Sequence, residues 1–285
     1  MPLCLENVSY TYGVHTPFEH KALNGLDLTF KDGIITGLMG HTGSGKSTVA
    51  QMLNGLLRPT SGRVTLDGVD INSSKKICYE TKFKVGIVFQ YPEYQLFKET
   101  VWEDIAYGPR NMKLSDDEVK KRVTEAADFV GLTKEMLQKS PFELSGGQKR
   151  RAAIAGIIAM RPKFLILDEP AAGLDPAGRE DILTKICEYK KNENSSVILI
   201  SHSMEDMAKY CDEIAVMDDG VLLMYGTPEE VFSNRQQLKE AGLNLPQITE
   251  LMYELNSCGI PTDRIPFTVE DAAEQIIKLY GKGSK

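Results

Sequence analysis

The sequence predicts an α/β fold with a mainly parallel sheet and helices on both of its faces. Three observations support this prediction. An apolar run at residues 34–39 leads through a glycine-rich loop into a helical pattern at about 47–57. Strand and helix patterns alternate again over residues 164–210, which is typical of a parallel sheet. Between these regions, residues 92–161 show mostly helical patterns and predict a helical subdomain.

The N-terminal segment predicts a smaller antiparallel β layer beside the main sheet. Residues 3–12 and 22–30 alternate between apolar and polar side chains as strands do. Residues 64–71 have the pattern of a hairpin that turns at Asp67-Gly68.

The C-terminal segment predicts a small helical domain of its own. Residues 233–246 are polar and contain Gly and Pro, so we expect a linker there. Two amphipathic helices follow, the second of them capped by Thr268 with Asp271. Their apolar faces pack either on the main domain or on another subunit. We therefore divide the chain into domains at 1–233 and 234–285.

Composition narrows the class of protein. Of 285 residues, 42% are hydrophobic and 26% are charged, as in ordinary soluble proteins. The net charge of −7 argues against a general nucleic-acid-binding surface, and we expect the run Lys149-Arg150-Arg151 to form one face of a helix. No apolar stretch reaches about 18 residues, and no signal peptide is recognisable. We expect a cytoplasmic protein that can still reach a membrane through a partner.

A phosphate-binding loop is the chemical centre of the sequence. Its spacing is G-x-x-x-x-G-K-[ST], and it reads Gly40-His41-Thr42-Gly43-Ser44-Gly45-Lys46-Ser47. Glycines let several backbone N–H groups point at one anion. Lys46 places an ammonium on the β- and γ-phosphates, and the Ser47 hydroxyl can ligate Mg²⁺. Because a strand and a helix flank the loop as the motif requires, we predict that the protein binds a nucleoside triphosphate.

Two carboxylates follow the apolar strand predicted at residues 164–167. Asp168 is expected to hold Mg²⁺ through water, and Glu169 is expected to orient and deprotonate the attacking water. Alone, this pattern could also be a strand that ends in acidic loop residues. The phosphate loop elsewhere in the chain favours the catalytic interpretation.

A second anion-binding element comes before the helical pattern at 151–160. It reads Leu144-Ser145-Gly146-Gly147-Gln148, and it would offer helix-terminal N–H groups to a phosphate. Alone, Ser-Gly-Gly would indicate a simple helix cap. Two phosphate-binding helix starts beside one nucleotide loop need an explanation.

The whole set of motifs resembles the ATP-binding subunits of ABC transporters over residues 3–232. Residues 40–47 match the family's phosphate loop, 144–148 its signature sequence, and 164–169 its Mg²⁺ strand. The resemblance implies a P-loop NTPase fold of the ABC type. It also implies that two such domains sandwich two ATP molecules, with each signature acting on the partner's ATP.

The resemblance also implies roles for individual residues. Glu169, His202 and Gln90 would be catalytic, and Ser47, Gln90 and Asp168 would hold the metal. His202 alone would more often be a histidine at a helix start. The signature residues acting on the partner's ATP would be Ser145, Gly146, Gly147 and Gln148, and Asp175 would lie in the loop that contacts the partner. The ATP-binding residues would be Tyr12, stacking on adenine, with Gly40, His41, Thr42, Gly43, Ser44, Gly45, Lys46, Ser47 and Thr48.

A narrower resemblance is to the energy-coupling factor (ECF) transporters, which import vitamins or transition-metal ions. It rests on four segments and on the tail from about residue 234. These segments are Thr16-Pro17-Phe18-Glu19, His41-Thr42, Tyr91-Pro92-Glu93-Tyr94-Gln95-Leu96-Phe97 and Ser140-Pro141-Phe142-Glu143. One departure is Ala171, where the family often has Thr, and it leaves the catalytic groups intact. The chain is most similar to the second member of the ATPase pair.

The function that follows is an ATPase, using ATP and Mg²⁺, that drives an ECF importer from the cytoplasmic face of the cell membrane. The expected partners are a second ATPase subunit, a transmembrane coupling subunit and small substrate-binding membrane proteins, with no nucleic acid. The C-terminal domain would serve in dimerisation. One alternative is a soluble ABC ATPase that acts on nucleic acid or ribosomes. Another is a nucleotide-switched interaction module with little turnover.

Overall fold

The computed structural model describes residues 2–260 and 265–282 of the chain. Residues 1, 261–264 and 283–285 of the two predicted domains lie outside that description. The strands are β1 Leu3–Tyr12, β2 His20–Phe30, β3 Ile35–Met39, β4 Ser61–Leu66, β5 Val69–Asp70, β6 Val85–Val88, β7 Phe164–Asp168, β8 Ser196–Ile200, β9 Glu213–Asp218 and β10 Val221–Gly226.

The helices alternate with these strands or cover them. They are α1 Lys46–Leu53, α2 Lys75–Lys84, α3 Val101–Asn111, α4 Asp116–Phe129, α5 Lys134–Gln138, α6 Gly146–Ile158, α7 Pro176–Glu193, α8 Met204–Tyr210, α9 Pro228–Ser233, α10 Arg235–Glu240, α11 Gln247–Ser257 and α12 Val269–Lys282. Short 3₁₀ turns lie at Pro92–Gln95 and Pro141–Glu143.

The main sheet has six strands in the order β10-β9-β3-β8-β7-β6, and all its pairings but β10–β9 are parallel. In its register Ile200 lies beside both Leu38 and Asp168. The carboxyl ends of β3, β8 and β7 therefore meet at one edge, and the loops that follow these strands lie together there.

Both faces of the sheet are buried, as parallel sheets require. Leu165 and Leu167 point into a core shared with helices α3, α4, α6 and α7. Phe164 and Ile166 point to the other side, into a core shared with α1 and a four-stranded antiparallel sheet of order β2-β1-β4-β5. These layers confirm the predicted fold class.

The helix after the phosphate loop is shorter than the sequence pattern predicts. It ends at Leu53 rather than near residue 57, because Asn54 donates its side-chain amide to the Val85 carbonyl and Gly55 takes a φ of +75°. Leu56 consequently lies 45% exposed at the surface. Helix α2, capped by Ser74, was not predicted.

The prediction of a polar linker at residues 233–246 is wrong. That stretch holds helix α10, and Leu238, Leu243 and Leu245 are buried in the same core as the main sheet. Sparse leucines among polar neighbours resemble linker composition, but their burial ties the segment to the main domain.

The two helices of the tail form as predicted. The Thr268 hydroxyl accepts the Asp271 backbone N–H at 3.3 Å, as a helix cap does. Met252 and Ala272 are fully buried, whereas Leu251 and Ile277 stay exposed on the outside. Within the described parts of the chain, no helix has both the length and the apolarity needed to cross a membrane.

Candidate active site

A cleft of about 320 Å³ opens at the edge where the three loops meet. It brings together side chains from the phosphate loop, from the end of β7 and from the loop after β8. Its walls are Tyr12, His20, Ala22, Thr42, Gly43, Gly45, Lys46, Ser47, Thr48, Gln90, Asp168, Glu169, Ile200 and His202. His20, Ala22 and Ile200 carry no motif signal and were not predicted.

The phosphate loop is shaped by glycines with positive φ. A side chain at Gly40, with φ +154°, would place its Cβ 2.3 Å from the Met217 carbonyl oxygen. Gly45, with φ +101°, would meet the Ala22 carbonyl oxygen at 2.8 Å. The loop is therefore packed between neighbouring backbones on one side and open to the cleft on the other.

Lys46 is held inside this loop. Its ammonium donates to the carbonyl oxygens of Gly40 at 2.7 Å and His41 at 2.8 Å. Burial lowers the pKa of the ammonium, and the carboxylates of Glu169 and Asp168 oppose that shift. The cation thus faces the two acidic groups at the end of β7.

Three of the predicted ATP-binding residues are not among the walls of the cleft: Gly40, His41 and Ser44. The His41 ring turns away, with Nε2 3.0 Å from Asp218 Oδ1 and Nδ1 2.8 Å from the Thr42 carbonyl oxygen.

The predicted metal ligands lie together. The Ser47 hydroxyl donates to Asp168 Oδ2 at 3.2 Å, and the Gln90 side chain lines the same cleft. Burial raises the pKa of Asp168, while the Ser47 hydrogen bond and Lys46 oppose the rise. A hydroxyl, a carboxylate and an amide form an all-oxygen set of the kind that suits Mg²⁺.

Glu169 occupies an unusual position. Its backbone takes a φ of +51°, uncommon for a residue other than glycine, and its N–H donates to the Ile200 carbonyl at 2.9 Å. Side-chain atom Oε1 is buried without a hydrogen-bond partner among the described residues. Burial raises the pKa of Glu169 to about 7, with the nearby Asp168 charge adding to the rise. A base that titrates near neutral pH is suited to activating water.

His202 lies next to this carboxylate. Its Nε2 is 3.7 Å from Glu169 Oε1, and the ring is half exposed to the cleft. Burial and the Lys46 charge lower the pKa of His202, whereas Asp168 opposes the shift. A neutral imidazole can donate a hydrogen bond from one nitrogen and accept one at the other.

Tyr12 stands at the other end of the cleft. Its hydroxyl lies 3.1 Å from the Thr48 hydroxyl, and its ring meets that of Tyr10 edge-on with centroids 4.7 Å apart. The ring is 38% exposed, so one face can receive a planar base.

The signature residues do not line this cleft. Ser145 caps α6 through a reciprocal pair of hydrogen bonds with Gln148. Apart from its chain neighbours and the backbone of its own helix, a Cβ placed on Gly146 or Gly147 would meet no described atom within 4 Å. Asp175 likewise caps α7 by accepting the Gly178 N–H at 2.8 Å. The phosphate loop and the signature of one chain therefore do not line a common cleft.

A groove of about 400 Å³ lies on another surface, between the segment after Gln90, helix α3 and helix α6. Its aromatic wall is formed by Phe83, Phe89, Phe97 and Tyr107. Phe97 is 60% exposed and packs edge-on against Tyr107 at 5.1 Å.

The segment beside the groove is held in place by a buried carboxylate. Asp104 accepts the backbone N–H groups of Phe97 and Lys98 at 3.2 and 3.1 Å. Tyr94 is 86% exposed, whereas Leu96 packs against the main core. The apolar residues of this segment thus contribute both to the local core and to the groove.

Comparisons with known proteins agree with this architecture. The ABC transporter family model matches residues 23–172. The energy-coupling factor transporter ATP-binding protein EcfA2 of Caldanaerobacter subterraneus is 52% identical over 285 residues, covering all of this chain and 99% of that protein. The protein of the same name from Clostridium acetobutylicum is 51% identical over 98% of both chains.

Solved structures give the same result. The structure of cbiO1 from Clostridium perfringens, part of the ABC transporter complex cbiONQ, matches with a TM-score of 0.74 and 39% identity, covering 88% of this chain and 98% of that one. A dimeric post-hydrolysis state of the ATP-binding cassette MJ0796, bound to ADP and Pi, matches with a TM-score of 0.71 and 27% identity over 79% of this chain and 98% of that one. This chain therefore belongs to the ABC transporter family and, within it, to the energy-coupling factor transporter ATP-binding proteins.

Proposed function

We propose that this chain binds ATP with Mg²⁺ and hydrolyses it to energise an ECF-type importer. The observation that carries the proposal is the position of Glu169, a carboxylate with one buried oxygen and a pKa of about 7 beside the phosphate loop. Family membership supports the same interpretation. A nucleotide switch with little turnover would not need such a base.

The residues of the cleft would have separate roles in hydrolysis. Lys46 and the loop amides would bind and orient the phosphates, and Glu169 would take a proton from the attacking water. His202 would hold the γ-phosphate by a hydrogen bond. Mg²⁺ held by Ser47, Asp168 and Gln90 would neutralise charge on the phosphates.

A dimer would complete the site. The signature at the start of α6 does not line the chain's own cleft, and there is open space where a Cβ would stand on Gly146 or Gly147. We propose that Ser145–Gln148 bind the ATP of a second, unlike ATPase subunit, and that Asp175 lies at the contact between the two. Residues 1–233, with the buried stretch 234–246, would form the nucleotide-binding domain, and the tail helices that follow would hold the pair together.

The groove beside Phe97 would receive a helix of a transmembrane subunit. Phe97 offers exposed aromatic surface there, and Tyr94 is exposed on the same segment outside the groove. Aromatic residues are common anchors in helix-binding grooves. The ATPase would then sit on the cytoplasmic face of the membrane, and small membrane proteins would bind the transported substrate.

Glu169→Gln tests the proposed function directly. The change keeps the size of the side chain and removes the base, so ATP turnover should fall about 10²–10⁴-fold. ATP binding should persist because Lys46 and the loop amides are intact. The measurement is phosphate release and nucleotide titration in the assembled complex, with the exposed Glu135→Gln as a control. Near-normal turnover in Glu169→Gln would show that Glu169 is not the general base.

A further inference from the structure

Arg150 lies inside the protein, although its sequence neighbours predict a charged helix face. It is on α6, five residues after Ser145, and its side chain is 6% exposed. A buried guanidinium needs partners for its five N–H donors. The identity of those partners suggests a role for this residue.

On one side Arg150 contacts a carboxylate. Its Nε and Nη2 atoms each lie 3.4 Å from an oxygen of Glu93. Glu93 is in the 3₁₀ turn Pro92–Gln95, between Gln90 and the exposed Phe97 of the groove. Arg150 is therefore bound to the segment that carries both the groove wall and a residue of the ATP cleft.

On the other side Arg150 contacts the loop that follows the catalytic base. Its Nη1 donates to the carbonyl oxygens of Ala172 at 2.6 Å and Pro170 at 3.4 Å. The Ala172 N–H in turn donates to the carbonyl of Glu169 at 3.1 Å. The guanidinium and one backbone hydrogen bond thus connect Glu93 to the backbone of Glu169.

The two ends of this connection differ in tightness. Charge-assisted N–H···O contacts are usually about 2.7–2.9 Å long. On the loop side, the contact with Ala172 is at least that short, although the one with Pro170 is 3.4 Å, whereas both contacts with Glu93 are 3.4 Å. The Glu93 end therefore has room to shorten if the Tyr91–Phe97 segment moves, and the tight end would transmit that movement to the loop.

We propose that Arg150 is a positioning residue that couples the groove to the catalytic loop. This inference rests on the proposed function, in which the groove holds a helix of the membrane subunit. Docking of that helix shifts Glu93 and, through Arg150, the loop at 170–172. The orientation of Glu169 then depends on whether the groove is filled. Because Arg150 is part of the signature helix, the same movement reaches Ser145.

The test compares ATP turnover in the complete membrane complex with turnover in the purified ATPase pair. Glu93→Gln keeps the volume and one acceptor oxygen and removes the charge. The ratio of the two rates should fall by at least about fivefold, the lower range of site-to-site coupling. Arg150→Lys loses the planar fork and should lower the same ratio.

The double variant Glu93→Gln/Arg150→Lys distinguishes one link from two independent effects. If the two residues act through one contact, the ratio in the double variant should lie within about twofold of the lower single variant. If the effects of the two single variants on the ratio multiply in the double variant, the proposal is wrong. A native ratio in Glu93→Gln would also overturn it. If Arg150→Lys does not fold, Glu93→Gln alone decides, because a lowered ratio supports the link and a native ratio contradicts it.

Two controls distinguish coupling from a general loss of stability. Arg151→Lys changes the neighbouring arginine, whose Nε has no hydrogen-bond partner in the described structure, and should leave the ratio unchanged. If the Glu93 and Arg150 variants both lower the melting temperature and the ATP affinity of the purified ATPase pair by equal amounts, the two residues are merely structural and the proposal is wrong. Phe97→Asp tests the groove itself. If Phe97→Asp leaves the membrane complex intact, the proposed docking is wrong. If Phe97→Asp releases the ATPase from the complex while Glu93→Gln keeps the native ratio, only the Arg150 link is rejected.

Discussion

Glu169 combines three properties at one residue: a left-handed backbone, a buried oxygen without a hydrogen-bond partner among the described residues, and a raised pKa. The sequence could predict its role because a strand that ends in two carboxylates, beside a phosphate loop, has few other uses. It could not predict the neighbours that complete the cleft, since His20 and Ile200 belong to no motif. It also could not distinguish Arg150 from the charged residues beside it, because burial depends on packing between distant segments.

The raised pKa of Glu169 predicts a pH-dependent effect on stability. The folded state binds more protons than the unfolded state between about pH 4.5 and 7, so this group's contribution to the free energy of unfolding falls as pH rises through that window. Raising the pKa of Glu169 from 4.5 to about 7 is worth at most about 3 kcal/mol. Glu169→Gln should therefore be more stable than the native protein at pH 8, by about 1–3 kcal/mol.

Urea unfolding without nucleotide at pH 8 and pH 5 measures this difference. The advantage of Glu169→Gln should shrink towards zero at the lower pH, where the native carboxyl is protonated. Glu135→Gln, an exposed change, should show little difference at either pH. A constant advantage of Glu169→Gln at both pH values would mean that the carboxyl is not desolvated.

At the scale of elements, the strand–loop–helix order and the helix caps could be predicted from sequence. The Ser115, Ser145 and Ser203 hydroxyls each accept a backbone N–H at a helix start, as their types and spacing suggest. Burial of α10 could not be predicted, because three leucines in a polar stretch give no clear period. The end of α1 was also missed, since it depends on a tertiary hydrogen bond from Asn54 to Val85.

The two glycines at the start of α6 predict a further result. Neither has a positive φ, and apart from their chain neighbours and the backbone of their own helix, no described atom lies within 4 Å of where a Cβ would stand. Gly147→Ala should therefore leave the fold intact and, on helix propensity, stabilise it by up to about 1 kcal/mol. Turnover should nevertheless fall about tenfold or more, since a methyl group would hold the partner's phosphate away from the helix.

Melting temperature and phosphate release, measured on the same dimer preparation of Gly147→Ala, check this expectation. Gly45→Ala is the contrasting variant, because its Cβ would meet the Ala22 carbonyl oxygen within the same chain. It should lose ATP binding as well as turnover. Native turnover in Gly147→Ala would mean that the signature makes no close backbone contact with phosphate.

At the scale of the whole molecule, two surfaces are suited to partners. One is the groove beside Phe97, and the other is the outer face of the tail, where Leu251 and Ile277 are 45% and 69% exposed. The tail is also tied to α8, the helix that follows His202, since the Gln247 N–H donates to Glu205 at 3.2 Å. The sequence already indicated amphipathic helices at the tail.

The outer face of the tail predicts an effect on subunit association. Ile277→Asp places a charge on an exposed apolar position, so the isolated chain should keep its melting temperature and its ATP affinity. Its association with the second ATPase in the absence of ATP should weaken about tenfold, as loss of a buried anchor of about 1.4 kcal/mol would produce. Analytical ultracentrifugation measures this, with the exposed Glu254→Gln on α11 as a control. Unchanged association would limit the tail to covering its own domain.

We propose that this chain hydrolyses ATP to drive a membrane complex, which it binds through the groove beside Phe97. The most direct measurement is recovery of partners from native membranes with a tag on this chain, in the native form and as Phe97→Asp. We expect the native chain to bring a second ATPase, a transmembrane subunit and small membrane proteins. Phe97→Asp should keep its melting temperature, its ATP binding and the second ATPase while losing the membrane proteins. Recovery of ribosomes or nucleic acid with the native chain, or full retention of the membrane proteins by Phe97→Asp, would contradict this claim.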